Sequence, residues 1–106
     1  MAFRGGMSEL LKQAHRIQEK LAKLKEELAT RDVEASSGGG MVTAVANGNG
    51  ELKRIAIDPG LLKPEDKEML QDLLVAAVNA VAARASELAA AEQEQLTGGV
   101  RIPGLF

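Results

Sequence analysis

The chain has no cysteine, no tryptophan and no tyrosine, and only two phenylalanines among its 106 residues. Without thiols there are no disulfides, no thiolate nucleophile and no thiolate metal site. Without aromatic platforms, stacking of bases on rings, the usual grip on single-stranded nucleic acid, is missing too. The one histidine, His15, has no partners for a histidine metal site and no Ser-His-Asp arrangement around it. The longest apolar run, Leu73–Val78, stops at Asn79, far short of the ~18 residues a bilayer span needs. No signal-peptide core follows Met1. These absences are those expected of a soluble, cytoplasmic chain.

Apolar bulk is scarce as well. The hydrophobic share is 45%, but much of it is alanine, which favours helix and buries little area. The length allows a single domain over residues 1–106. A lone chain with so few large side chains has a thin core, and self-association is the expected remedy, most often as a two-fold dimer.

What the chain has is a charge asymmetry. The whole is mildly acidic, with a formal charge of -2 and a pI near 5.4. Residues 1–25 nevertheless carry six basic side chains against two acidic ones, a local charge of +4. Phosphate recognition depends on the field of one surface, so the average does not exclude a polyanionic partner.

That basic segment is a helix by pattern. Met7, Leu10, Ala14, Ile17, Leu21, Leu24 and Leu28 step three then four without a break, the seam of a coiled coil. Ser8 is placed to cap its start, and residues 1–6 read as a flexible leader. On a wheel of ~100° per residue, Lys12, Arg16, Lys20 and Lys23 fall within about 80° of one another. Like charges one turn apart are mildly destabilising, so a merely solvated face is better mixed. Glu19 can pair with Lys23, but Lys12, Arg16 and Lys20 have no equally good acidic partner within the helix. A solvated coiled-coil flank remains the plain alternative. Cations spaced by helical turns suit duplex phosphates and carry little base information. A membrane surface ranks behind, because the narrow seam has no Trp or Phe to anchor it.

Beyond residue 30 the period changes. Met41–Ala46 and Leu52–Ile57 read as strands, joined by a tight Asn47-Gly48-Asn49-Gly50 hairpin in which Asn and Gly supply positive φ. Val33 and its neighbours make a first, edge strand, turned back by Gly38-Gly39-Gly40. Asp58-Pro59-Gly60 closes the sheet. Pro64 starts a second helix, whose first turn carries Glu65, Asp66 and Glu68 in complement to the helix dipole. Its inner stripe is Leu70, Leu74, Ala77, Val81, Ala85 and Leu88, and it runs to about Leu96. The tail, 97–106, is flexible or docks on a neighbour through Leu105 and Phe106. The expected architecture is α+β: long helix, three-stranded antiparallel sheet, long helix.

No enzyme is expected. The glycines match neither a dinucleotide fingerprint nor a P-loop, and the acids around Glu65 are explained by the helix dipole more simply than by a metal. Neither a cofactor nor a small-molecule substrate is indicated.

An ordered series of short motifs runs through nearly the whole chain. Leu11-Lys12-Gln13-Ala14 leads into Gln18-Glu19-Lys20-Leu21, and Gly38-Gly39-Gly40-Met41-Val42 and Asn47-Gly48 follow. Ile57-Asp58-Pro59, Asp66-Lys67-Glu68-Met69-Leu70, Asp72–Ala80 and the final Pro103-Gly104-Leu105-Phe106 complete it. In this series the chain resembles the YbaB/EbfC family of small bacterial nucleoid-associated proteins. The resemblance implies a homodimer with helices projecting tweezer-like from a sheet-built body. It further implies binding of double-stranded DNA and a part in nucleoid organisation or gene regulation. Helical DNA contacts carried over from the family fall on Lys12, Arg16, Lys20, Lys23 and Lys25, with Arg84 of the second helix as a lesser candidate. Residue 15, often glutamine in the family, is His here. A rival of another class is a dimeric interaction scaffold that uses the heptad seam and the tail, with DNA incidental.

Overall fold

A computed structural model describes residues 2–97, with side chains over 6–96. Helix α1 spans Ala2–Ala29, strands β1, β2 and β3 span Asp32–Ser37, Val42–Asn47 and Leu52–Ile57, and helix α2 spans Lys67–Thr97. Short 3-10 turns at Pro59–Leu61 and Pro64–Asp66 lead into α2. The sheet is antiparallel in the order β1-β2-β3. The expected helix, three strands and helix are therefore all present, in that order.

Alternation decides which side of the sheet is covered. Val33 and Ala35 of β1, Val42, Ala44 and Ala46 of β2, and Ile55 and Ile57 of β3 pack with Ala77 and Val81 of α2. Leu61 closes one end of this core, and Leu70, Leu73 and Leu74 border it. Val45, one pleat out of phase, is also buried; its direct cross-strand neighbours are Glu34 and Arg54. Between Val45 and Ala46 the register with β3 shifts, the mark of a bulge. Gly38 shows why the turn after β1 needs glycine: a Cβ there would lie 2.9 Å from Leu73 Cδ2, at a φ of +60°. The Ser37 hydroxyl donates to the Leu73 carbonyl at 2.7 Å, which pins the same turn to α2.

Four local expectations are corrected. Helix α1 begins at Ala2, so residues 2–6 continue it, and Ser8 lies inside it and caps nothing. Helix propagation through Gly5 and Gly6 has won over the local capping signal. Strand β2 starts at Val42 because Met41 is drawn into the glycine turn, its N–H donating to the Gly38 carbonyl. In the β2–β3 turn only Gly50 has a positive φ, so neither asparagine supplies one. The tail expectation lies outside the described residues, Thr97 excepted.

By length and average hydropathy (1.5 over its best window), the segment Pro64–Leu96 meets the threshold of a bilayer span, which run length alone had missed. Its apolarity is largely alanine, and its inner stripe, Ala77, Val81 and Ala85, is buried within this single chain. Only 17% of that window is buried, so its outer side is bare, with Met69 and Val75 exposed. The chain as a whole is elongated, 76 × 21 × 17 Å.

Candidate nucleic-acid interface

Helix α1 is held at one end and bare at the other. Its last turns bury Leu24 and Leu28, while Met7, Leu10 and Leu11 are about 60% exposed (60%, 62% and 60%). Leu21, Leu24 and Leu28 face Ala82, Ala85 and Ala89 of α2 across a groove of about 430 Å³, left open by the small alanine side chains. Arg31, just past the helix, pairs with Glu92 of α2 at 2.9 Å.

The held end has an unusual cap. Ala29 is followed by Thr30, Arg31 and Asp32, with no glycine to form the usual left-handed terminus. The β2–β3 turn supplies the missing donors instead. Gly48 N–H donates to the Leu28 and Arg31 carbonyls at 2.9 and 2.8 Å. Asn47 Nδ2 reaches the Ala29 carbonyl at 3.4 Å, and Asn49 Nδ2 the Lys25 carbonyl at 2.9 Å. Asn47, 7% exposed, spends its remaining capacity on the turn itself. Its Oδ1 accepts from the N–H groups of Asn49 and Glu51, and its Nδ2 also donates to Glu51 Oε1 at 2.9 Å. No buried side-chain polar atom among the described residues lacks a partner.

From this anchor the helix presents its cations. Lys12, Arg16, Lys20 and Lys23 are all exposed and share one strip. Among the described residues the ion pairs are Arg31–Glu92 and Lys53–Asp32, so none of the four takes part in one. The expected pairing of Glu19 with Lys23 is not formed. His15 is exposed on the same helix, as its position off the seam foretold.

The other two candidates stand apart. Lys25 lies about 180° around the helix from the strip and lines the groove toward α2. Arg84 donates from its guanidinium to the Glu34 carbonyl of β1. Arg84 thereby ties α2 to strand β1. The structure thus groups four of the six predicted residues. What sequence reasoning missed is the Asn47–Asn49 cap; its one signal was a long helix ending without a terminator. Among the described residues, no group of His, Asp or Glu is placed to hold a metal ion.

Comparison with known proteins agrees with this architecture. The model of the YbaB/EbfC DNA-binding family matches residues 3–100. A nucleoid-associated protein of Pelotomaculum thermopropionicum is 47% identical over 102 residues, covering 96% of this chain and 97% of its own. One from Acetivibrio thermocellus is 48% identical over 105 residues, covering 98% and 93%. The crystal structure of an uncharacterized Helicobacter pylori protein superposes with a TM-score of 0.65 at 31% identity, over 81% of this chain and 95% of that one. With a family match of that extent and relatives this similar over their whole length, the chain belongs to the YbaB/EbfC DNA-binding family.

Proposed function

We propose that this chain is a nucleoid-associated protein that binds duplex DNA as a homodimer, mainly through phosphate contacts. It acts without catalysis, at the nucleoid in the cytoplasm, in organising DNA or regulating genes. The observation that carries this reading is the strip of four exposed cations on α1, none paired with a described acid. A row of cations on one helix face fits the spaced charges of a duplex backbone and conveys little sequence information. The homodimer draws support from the bare outer side of α2 and from exposed Leu62, Met69 and Val75. The rival reading, an interaction scaffold in which DNA is incidental, rests on the bare start of the α1 seam.

Salt titration of binding tests the contacts. Replacing Lys12, Arg16 and Lys20 together by glutamine removes three free cations from exposed helix positions, so helix content stays. The slope of log K against log salt then shrinks by up to ~5.4 units for the homodimer, three contacts in each protomer at ~0.9 per lost phosphate contact. Unchanged affinity and slope in a folded triple variant refutes the assignment.

A further inference from the structure

The heptad seam of α1 is divided by the fold. Its second half, Leu21 to Leu28, is covered by α2; its first half, Met7 to Ile17, repeats the same spacing with none of the described residues over most of it. Residues flanking this bare half on either side, Leu11, Gln13 and Gln18, are uncharged. A heptad face with neutral flanks imposes no charge penalty on pairing with an identical face. The covered half differs, being flanked by Lys20, Lys25 and Glu27.

Geometry separates this face from the cations. With ~100° per residue, the centre of Met7, Leu10, Ala14 and Ile17 lies roughly 145° around the helix from the centre of the basic strip. A copy seated on phosphates through Lys12, Arg16 and Lys20 therefore turns its bare seam away from that duplex. The partner present at high local concentration there is another copy, held on a nearby stretch of DNA by the same cations.

We propose that the bare half-seam, Met7, Leu10, Ala14 and Ile17, pairs with the same segment of a second DNA-bound copy and joins two duplex segments arm to arm. The proposal rests on the DNA-binding reading above. In such a pair the basic strips face outward on opposite sides, each free to hold its own duplex. Four side chains per helix fall well short of the ~1,200 Å² buried by stable interfaces. The contact is weak in free solution and gains weight when both copies are tethered to DNA, where effective concentrations reach roughly the millimolar range.

The test is a two-duplex capture assay on the full chain: one short duplex on beads, a second, fluorescent one in solution. Met7→Gln with Leu10→Gln changes two exposed residues, adds no charge and keeps helix propensity. Wild type retains the second duplex; the double variant binds a single duplex as before, but capture falls by about tenfold or more. Capture that survives in the variant overturns the pairing, as does loss of single-duplex affinity alongside it or a wild type that binds one duplex and never two. A second measurement does not need DNA. Because the chain has no cysteine, Leu10→Cys treated at high concentration with a short bismaleimide reports only its own position. Linked pairs with Leu10→Cys and none with Lys12→Cys support the pairing. If they form in a protein that binds no duplex, the pairing stands and the DNA reading falls; equal linkage at both positions overturns the pairing.

Discussion

Gly48→Ala is the sharpest probe of how the arm is mounted. A Cβ on Gly48 would stand 2.8 Å from Leu28 Cδ2 and 3.0 Å from both Leu28 Cβ and the Leu28 carbonyl oxygen. The methyl can rotate aside, but the Cβ and the carbonyl move only with the helix. Ordinary contact begins near 3.4 Å, so the end of α1 must retreat by about 0.4 Å. Buried Leu24, ~6 Å back along the helix, is the natural fulcrum, so that retreat is a tilt of ~4° and carries Lys12, ~18 Å beyond it, by about 1 Å. Flexible lysine stems absorb that displacement, so the salt slope of DNA binding holds. Stability does not: overpacking of this kind costs about 1–3 kcal/mol. At about 4–8 °C per kcal/mol the melting point drops by at least ~4 °C, read by thermal or urea unfolding at one fixed protein concentration, since a dimer's stability depends on it. A Gly48→Ala protein as stable as wild type would mean that α1 is not seated on the β2–β3 turn, and the account of its cap would fail.

Two other perturbations separate structural from binding charges. Arg84→Gln removes the guanidinium that satisfies the Glu34 carbonyl and should cost about 1 kcal/mol in urea unfolding, while the salt slope of DNA binding is unchanged; a lowered slope would return Arg84 to the interface. Glu65→Gln with Glu68→Gln moves the formal charge from -2 to 0, yet should leave DNA affinity at physiological salt within about twofold, because screening cuts off charges this remote. A large gain in affinity would show that the net charge, and not the strip, governs binding.

The elements were legible in the residues because the helices carry a period and the strands are bounded by turn residues. The three-four stepping of Met7 to Leu28 marks a helix, the short run Leu52–Ile57 between turn residues marks a strand that the fold reproduces residue for residue, and the stripe ending at Leu88 marks the second helix. Contacts between elements were not legible. Asn47 and Gly48 looked like turn formers valued for positive φ; their work is to donate to a helix end about 18 residues earlier in the chain. Nothing local distinguishes an asparagine that bends the backbone from one that reaches across to Ala29. The placing of Lys25 was not legible either: it shares the segment of the other cations but lines the groove beside α2, which only the wheel and the packing together reveal. Ser8 was overread because capping propensity is a preference that a growing helix overrides.

The division of charge between body and arm explains how an acidic chain can serve a polyanion. Glu65, Asp66 and Glu68 lie at the start of α2, ~27 Å along that helix from Ala85, which lines the groove opposite Leu28. Of the nearer acids, Glu92 is occupied by Arg31 and Glu26 stands ~21 Å along α1 from Lys12, while Glu9 and Glu19 sit on the arm itself and are outnumbered by its cations. Physiological salt screens charges over about 8 Å, so Lys12 and Arg16 act through their own local field and scarcely sense the acidic body. On the proposed DNA-binding reading, a field of such short range confines a duplex to the basic strip of α1. That confinement requires a long, rigid helix fixed at one end, and the Asn47–Asn49 cap with the Arg31–Glu92 pair provides the fixing. Charge segregation and mechanical anchoring are therefore one requirement: a shorter or looser arm would bring its cations within screening range of the carboxylates and lose the field that sets it apart.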